Sequence, residues 1–486
     1  MDDQTKPAPI PATPPDPGLP TDLEGAGLQR ELENVDLDSV AQADPTARPD
    51  RYSAEALQDI VHGGTIPVPV NSIDRELIQL WKSTTIGGDN EGKVSVTLMR
   101  VMNLVVYVED EARAVSANAV IDQIVCRHPC RTIMITNVSG GTGQDQPPGP
   151  GAAIAADREL NAHLSAHCQL SDADGKQVCC EQITIHSETE PALSRVSNLA
   201  LNLLITDLPV FLWWASGAPF NNMVLTHLED SIDRLVVDSA GFADPIVGLT
   251  ALARTLDPSF QHQTAVRHAP GDLNWGRLEG WREATAQIFD TPDYRASLWK
   301  IGSVEVQYAA PAEGAEPNPT QALLFAGWLA SRMGWEFHGT MPGGVRGKPG
   351  DFMLTMRQGV RSIPLGLRAT PGKADYPGGI LGLRLTTNDP SPLTFGIRLD
   401  AEGLYLDCIV EREGQEPVLR KVRYSASDEA GLLDSELEEF GHDTVYEQAL
   451  VMAGAMAWGS MTLGRRNEVS AQLGTENRQS SFDPRF

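Results

Sequence analysis

Residues 95–137 read SVTLMRVMNLVVYVEDEARAVSANAVIDQIVCRHPCRTIMITN, and this stretch decides the fold class. Ser95 to Glu109 is rich in β-branched residues, which predicts one or two strands. Asp110-Glu111 then opens a helix, because acidic side chains stabilise the positive end of the helix dipole. His128-Pro129 ends that helix, since the residue before a proline is pushed out of the helical region. Arg131 to Asn137 is the next strand, so the stretch forms a strand–helix–strand unit long enough for a parallel crossover.

The alternation continues towards the C-terminus and then changes character. A hairpin of Glu159–Leu170 and Gln177–His186 is followed by strands and helices in turn up to Arg254, which predicts a mostly parallel sheet covered by helices. Between Phe352 and Tyr424, short strands with Gly/Pro turns predict an antiparallel sheet. We therefore expect an α/β protein, with an N-terminal, mostly parallel sheet domain and a C-terminal α+β domain built on an antiparallel sheet.

Composition divides the chain into four predicted regions. Residues 1–50 are a proline-rich leader with few apolar residues, which predicts disorder or an arm that folds on a partner. Residues 51–275 form the α/β domain, and residues 276–465 form the α+β domain. Residues 466–486 are polar and are expected to be a flexible tail.

The charge balance excludes whole classes of partner. The chain has 486 residues, a hydrophobic share of 41% and a formal net charge of −27, so its surface repels phosphate backbones and anionic lipid heads. We expect no nucleic-acid partner and no membrane partner. The acidic start Met1-Asp2-Asp3 lacks the apolar core of a signal peptide. Six cysteines are too few for a disulfide-stapled secreted scaffold, which favours a cytoplasmic protein.

Motifs for catalysis are missing or broken. Gly140-Gly141-Thr142-Gly143 follows a strand, but three prolines and no helix start come after it, so the phosphate cradle lacks a helix N-terminus. Gly347-Lys348 resembles the end of a P-loop, but Pro349 stands where a magnesium-binding hydroxyl belongs. No Gly-x-Ser-x-Gly, His-Glu-x-x-His or paired Cys-x-x-Cys occurs. We therefore predict no catalytic residue, no metal and no cofactor.

The cysteines and tryptophans are the candidate site residues, and each has a structural alternative. If Asp174-Gly175 is a two-residue turn, Cys168 lies diagonal to Cys179; with a three-residue loop it faces Cys180. The sulfurs are then buried thiols, a reversible thiol–disulfide switch, or a zinc site of Cys126, Cys130 and the hairpin cysteines. The redox candidates are Cys126, Cys130, Cys168, Cys179, Cys180 and Cys408. Trp213, Trp214 and Trp328 are core residues or anchors for a partner protein.

Several of these segments, in this order, resemble one known family. The segments are Asn103-Leu104-Val105-Val106-Tyr107, His128-Pro129-Cys130-Arg131, Cys179-Cys180-Glu181-Gln182-Ile183, and Ser194 through Leu204 followed by Thr206 through Trp214. They are similar to the OpcA family, the glucose-6-phosphate dehydrogenase assembly proteins of cyanobacteria and actinobacteria. The six cysteines look more like the cyanobacterial type.

The resemblance implies a non-catalytic protein of the oxidative pentose phosphate pathway. It implies that the chain binds glucose-6-phosphate dehydrogenase, favours its active oligomer and raises its response to glucose 6-phosphate. It also implies redox regulation through thioredoxin. The competing prediction is an α/β enzyme or sensor that binds a sugar phosphate or nucleotide sugar in a crevice at the strand ends.

Overall fold

A computed structural model describes residues 64–85, 96–137, 160–170, 177–256, 268–311, 315–340, 350–374, 376–461, and 465, 466, 468 and 469. The leader, most of the tail, both glycine loops and the Asp174-Gly175 turn lie outside these residues. Residues 52–486 group into one compact unit. The four predicted regions stay a prediction.

The first sheet follows the order β1-β5-β6-β4-β3-β7-β8-β9, with β2 beside β6. Its strands are β1 Ile66–Val68, β2 Val96–Leu98, β3 Met102–Val108, β4 Cys130–Asn137, β5 Leu160–Leu170, β6 Gln177–Ser187, β7 Val210–Trp214, β8 Arg234–Val237 and β9 Ala269–Asp272. Six neighbouring strands run parallel to one another: β6, β4, β3, β7, β8 and β9. At one edge, β5 pairs antiparallel with β6, and β1 pairs antiparallel with β5. The prediction of a mostly parallel sheet is confirmed.

The helices that accompany the first sheet mostly begin at residues that favour a helix start. They are α1 Ile73–Thr85, α2 Glu111–Ile124, α3 Glu190–Leu203, α4 Met223–Leu228, α5 Pro245–Arg254 and α6 Leu273–Gly276. Asp110, Thr189 and Asp244 each accept a hydrogen bond from a backbone N–H in the first turn of their helix. These caps satisfy donors that a helix start leaves without a partner.

The second sheet has eight strands in the order β11-β12-β13-β10-β14-β15-β16-β17. They are β10 Ile301–Ala309, β11 Glu336–Thr340, β12 Phe352–Gln358, β13 Arg361–Thr370, β14 Ile380–Thr387, β15 Leu393–Leu399, β16 Tyr405–Arg412 and β17 Val418–Arg423. Neighbouring strands are antiparallel except for the parallel pair β10 and β13. The predicted antiparallel sheet is confirmed.

The remaining helices connect the two sheets. They are α7 Glu279–Asp290, α8 Pro292–Arg295, α9 Thr320–Met333, α10 Glu429–Glu438 and α11 Thr444–Ser460. α11 packs on α9, beside the second sheet, and on α5, beside the first. A single hydrophobic cluster therefore runs from the first sheet to the second. None of the helices in the described part of the chain combines the length and the apolar character that a bilayer crossing requires.

Glycines set the distance between these helices. A Cβ at Gly327 in α9 would lie 2.3 Å from the carbonyl oxygen of Ala449 in α11. A Cβ at Gly454 in α11 would lie 2.2 Å from the Cβ of Ala253 in α5. Both distances are shorter than the contacts that real Cβ atoms make. The glycines therefore let α11 approach α9 and α5 more closely than any residue with a side chain would allow.

Replacing Gly327 by leucine is expected to lower the free energy of unfolding by about 2–3 kcal/mol, because the new side chain overpacks the α9–α11 contact. Urea unfolding followed by circular dichroism measures the change. Gly217→Ala is the control, since a Cβ at Gly217 meets nothing within 4 Å. Equal unfolding midpoints for the two variants would contradict close packing of α9 on α11.

Candidate functional site

The strand order of the first sheet places a crevice between β3 and β7. From β3 the chain crosses to β4 on one side, whereas β7, β8 and β9 extend the sheet on the other. Open α/β sheets bind their ligands outside the carboxyl ends of the strands at such a switch point. The carboxyl ends of β3, β7, β8 and β9 are therefore the first place to look for a site.

Acidic residues occupy the helix start at this crevice. β3 leads directly into Glu109, Asp110 and Glu111, and α2 begins at the last of these. The Asp110 carboxylate accepts a hydrogen bond of 2.7 Å from the backbone N–H of Arg113. A helix N-terminus binds a phosphate through such N–H groups. Here one of the N–H groups is already capped, and the neighbouring carboxylates repel an anion.

The crevice itself is filled by Arg113. Its guanidinium donates a hydrogen bond to the carbonyl oxygen of Ala215, which directly follows β7. It also forms an ion pair with Glu429, the first residue of α10, with one N–O distance of 3.0 Å. The same guanidinium lies 5.5 Å from the ring centroid of Trp213. A helix from the second half of the chain is thus held over the switch point of the first sheet.

Further along the same edge, two aspartates mark the ends of β8 and β9. Asp272 is fully buried, and its Oδ1 accepts hydrogen bonds from the backbone N–H groups of Ser239 and Asn274, at 3.0 and 2.9 Å. Burial, together with nearby Asp238, raises the pKa of Asp272 to about 7. Asp238 binds Arg277 through two hydrogen bonds of 2.7 and 2.8 Å.

Hydrogen bonds continue from these aspartates into the second sheet. The Asn274 amide donates to Ser239 Oγ at 3.1 Å, and its oxygen accepts from Gln321 of α9 at 3.1 Å. The Gln321 oxygen accepts from the backbone N–H of Ile380 in β14 at 2.8 Å, and its amide bonds the Tyr376 hydroxyl. We call these groups the inter-sheet network: Asp238, Ser239, Asp272, Asn274, Arg277, Gln321 and Tyr376. The network fixes the carboxyl edge of one sheet against the other.

The structure brings two of the six cysteines into a disulfide. Cys168 on β5 lies directly opposite Cys179 on β6, and the sulfur atoms are 1.98 Å apart. Both predicted registers, with Cys168 diagonal to Cys179 or facing Cys180, are therefore wrong. The described pairing runs as far as Leu170 and Gln177, and the connection between these residues lies outside the part of the chain that the structure describes.

The other cysteines differ in exposure. Cys126 is exposed, whereas Cys130, Cys180 and Cys408 are buried. Burial raises the pKa of Cys130 to about 12 and that of Cys180 to about 11, which keeps both as unreactive thiols at neutral pH. Burial also raises the pKa of Cys408, which lines a cavity of about 210 Å³ between α7 and the β16–β17 edge.

The arrangement of possible metal ligands argues against the zinc alternative in this state. Cys168 and Cys179 are joined to each other, so neither offers a thiolate. Elsewhere among the described residues, His128, Asp434 and Glu438 place ligand atoms within 4.8 Å of one another. Asp434 already has two partners there, His128 at 3.1 Å and Arg127 at 2.7 Å. We assign no metal to this group.

The tryptophans differ from the prediction of surface anchors. Trp213 and Trp214 are 0% and 1% exposed, because helices cover both faces of the parallel sheet, and Trp214 stacks on Tyr107 with 3.9 Å between ring centroids. Neither indole can contact a partner protein in this conformation. Trp328 on α9 is half-buried against the core, so its partner contact stays a prediction.

Comparison with known proteins identifies relatives along most of the chain. Residues 121–254 match a family model described as "Glucose-6-phosphate dehydrogenase subunit N-terminal domain", and residues 268–450 match the companion model for the C-terminal domain of the same subunit. A protein of Nostoc punctiforme named "Putative OxPP cycle protein OpcA" is 29% identical over 338 residues, covering 68% of this chain and 65% of its own length. The protein of that name in Synechococcus elongatus is 26% identical, covering 68% of each chain. This chain therefore spans just under two thirds of the Nostoc relative.

Solved structures show only a distant similarity. Glucose-6-phosphate 1-dehydrogenase from Mycobacterium avium superposes with a TM-score of 0.42 at 13% identity, covering 73% of this chain and 90% of that one. The yvaA oxidoreductase structure from Bacillus subtilis has a TM-score of 0.39 at 9% identity, covering 78% and 98%. Similarities at this level carry no argument about function.

The buried carboxyl of Asp272 predicts a pH dependence of stability. Its pKa is about 7 in the folded protein against an ordinary 3.8, so the unfolded chain releases this proton at lower pH than the folded chain. The wild type should therefore lose stability relative to Asp272→Asn as pH rises from about 4 to about 7, by roughly 3 kcal/mol.

Urea unfolding of both proteins across this pH range measures the difference. Asp290→Asn changes an exposed carboxylate at the end of α7 and should follow the wild type. Parallel curves for the wild type and Asp272→Asn would show that Asp272 does not hold this proton.

Proposed function

The chain belongs to the OpcA family, and from that membership we propose that it is a non-catalytic subunit of the oxidative pentose phosphate pathway. It binds glucose-6-phosphate dehydrogenase, favours the active oligomer of that enzyme and raises the response of the enzyme to glucose 6-phosphate.

The occupied switch point is the structural observation that supports a non-catalytic role. A dinucleotide-binding sheet presents glycines and uncapped N–H groups to a pyrophosphate at this position. In this chain Glu109 to Glu111 present carboxylates, and the Arg113–Glu429 ion pair fills the space beyond them. A phosphate ligand would have to enter against negative charge and displace that ion pair. We therefore propose that the protein acts through surface contacts with the dehydrogenase and not through a ligand bound at this crevice.

Activation has a simple thermodynamic requirement. A protein that raises the activity of an enzyme must bind the active state more tightly than the inactive state. A difference of about 1–3 kcal/mol in binding free energy shifts such an equilibrium by a factor of roughly 5–150. Contact with the surface of the dehydrogenase is sufficient for this, and no chemical step in the chain is needed.

The redox part of the proposal rests on the Cys168–Cys179 disulfide. It is the one disulfide that the described residues contain, and it joins β5 to β6 close to one edge of the first sheet. The raised pKa values of Cys130 and Cys180 make those thiols poor partners for exchange. We propose that a thioredoxin-type reductant acts on Cys168–Cys179 and thereby changes the affinity for the dehydrogenase.

Mixing this protein with the glucose-6-phosphate dehydrogenase of the same organism should lower the half-saturating concentration of glucose 6-phosphate. The readout is the initial rate of NADPH formation across a substrate series, with an unrelated acidic protein as the control. The chain alone should reduce no NADP and should not be stabilised by NADP or glucose 6-phosphate in a thermal-shift assay. Turnover by the isolated chain, or unchanged kinetics under oxidising and reducing conditions alike, would refute the proposal.

Changing both Cys168 and Cys179 to serine should abolish any effect of reduced thioredoxin on the activation. Cys408→Ser is the matched control, because Cys408 is a buried thiol on the second sheet, and it should respond like the wild type. Activation should be assayed before and after treatment with thioredoxin and its reductase. A full thioredoxin response in the double variant would exclude this disulfide as the switch.

A further inference from the structure

The second sheet has one face that the described helices leave open. Its strands alternate regularly, with apolar side chains such as Leu365, Leu383 and Phe395 buried towards the helices. We call the opposite side of β12, β13, β10, β14, β15, β16 and β17 the outer face. Every outer-face residue of these strands is half-buried or exposed, except for Ala309, Gly366 and Gly382. Antiparallel sheets often have one solvated face, so openness alone indicates nothing.

The residue pattern on the outer face is unusual for a merely solvated sheet. Three strands carry a Gly-x-Arg triplet: Gly366-Leu367-Arg368 in β13, Gly382-Leu383-Arg384 in β14 and Gly396-Ile397-Arg398 in β15. In each, glycine and arginine lie on the outer face. Glycine inside a strand weakens it and often marks a place where another backbone approaches closely. Gly366 and Gly382 are covered by the side chains of Met353 and Gln307 of this chain, whereas Gly396 is half-buried and leaves room for another backbone.

Two of the arginines form a reciprocal arrangement with the glycines. Across β14 and β15, Arg384 pairs with Gly396, and Gly382 pairs with Arg398. Each guanidinium therefore stands beside a position without a side chain. Arg368 has carboxylate partners in Asp351 and Glu305. Among the described residues, Arg384 and Arg398 have no ion pair, and both are exposed.

The outer face is close to electrical balance, whereas the chain is strongly acidic. On β12 to β17 and β10 it carries six basic side chains, Arg357, Arg368, Arg384, Arg398, Lys421 and Arg423. The acidic side chains on the same side are Glu305, Asp407 and Glu411, together with Glu336 of β11 opposite Arg357 and Asp351 on Arg368. The face therefore has a net charge of about +1, whereas the chain has −27. Arg384 and Arg398, which have no ion pair among the described residues, can pair there with carboxylates of a partner.

The size of the outer face approaches that of a protein interface. Its seven strands at a spacing of ~4.8 Å give a width of ~34 Å, and six residues of strand give a length of ~20 Å. The area is then roughly 700 Å², close to the ~800 Å² that each partner contributes to a standard interface. A small anion needs a concave pocket, which a flat sheet does not supply.

We propose that the outer face of the second sheet is the docking surface for an acidic patch on glucose-6-phosphate dehydrogenase. Arg384 and Arg398 pair with its carboxylates, while Gly396 allows the partner backbone to approach the sheet. The inference rests on the proposed function, because that function supplies the identity of the partner. It goes further in naming the surface, its charge and the residues that contact the partner.

The test measures binding of the full chain to the dehydrogenase of the same organism by biolayer interferometry. Arg384→Glu combined with Arg398→Glu should weaken binding at least about tenfold, since both charges then repel the partner. Gly396→Trp should do the same by blocking close approach. A Cβ at Gly396 meets nothing closer than 3.9 Å, so the fold tolerates it. Binding by the wild type should weaken as salt is raised.

Arg75→Glu is the matched control, because Arg75 is exposed on α1 beside the first sheet, and it should bind within about twofold of the wild type. Equal melting temperatures of all variants establish that they fold. If the wild type binds and the outer-face variants bind equally well, the docking surface is wrong while the proposed function stands. If the wild type does not bind, the proposed function fails, and docking on this enzyme fails with it. If the variants alter self-association of the isolated chain, the face is a contact between copies and the proposal is overturned.

Discussion

The close packing of α11 between α5 and α9 is the constraint on which the rest of the structure depends. α11 is apolar on nearly all sides, which is the composition of a helix enclosed by protein. Gly454 of α11 contacts α5, and Gly327 of α9 contacts α11. Neither pair of helices can shift along this contact without a clash. The two sheets share one hydrophobic cluster as a result. The inter-sheet network then has fixed partners on both sides, which is the condition under which buried polar groups stabilise a fold.

That rigid connection explains why the carboxyl edge of the first sheet differs from a ligand site. Ligand-binding α/β proteins keep this edge open between two parts that can move. Here α10 packs on one face of the sheet, with Glu429 joined to Arg113 at the carboxyl edge and Glu436 joined at 2.6 Å to Arg234 at the amino end of β8. Polar groups that would recognise a substrate are instead bonded to one another. The strand order of an open α/β sheet is retained, and the half-buried Arg113–Glu429 ion pair occupies the position of the crevice.

Sequence patterns predicted the fold better than the site, for physical reasons that particular residues illustrate. Residues 95–137 form their predicted strand–helix–strand unit because the spacing of apolar residues and the helix caps are determined by residues that are close together in the sequence. Trp213 and Trp214 were expected to be core residues or anchors for a partner protein. Both are buried because a parallel sheet is covered on both sides. The register that places Cys168 opposite Cys179 was not predicted, because the residue types along two strands do not fix which residues face each other.

The inter-sheet network was missed because its members come from distant segments. Asp238 and Tyr376 are brought together by the packing of the two sheets, and no local period links them. One signal was present, since Asp238 and Asp272 each fall at the end of a short apolar strand. Likewise, the Gly-x-Arg triplets are visible in the sequence, but the pairing of Arg384 with Gly396 appears only once strand register is known.

The position of α11 near the end of the described part of the chain also affects synthesis. The α5 surface is complete once Arg254 has left the ribosome, but its partner begins at Thr444. At about 5–20 residues per second, the nascent chain waits roughly 10–40 s for that helix. During this interval an apolar face that is buried in the finished protein stays open to water. The order of translation therefore leaves the apolar face of α5 as a surface that ribosome-associated chaperones can bind until α11 has been synthesised.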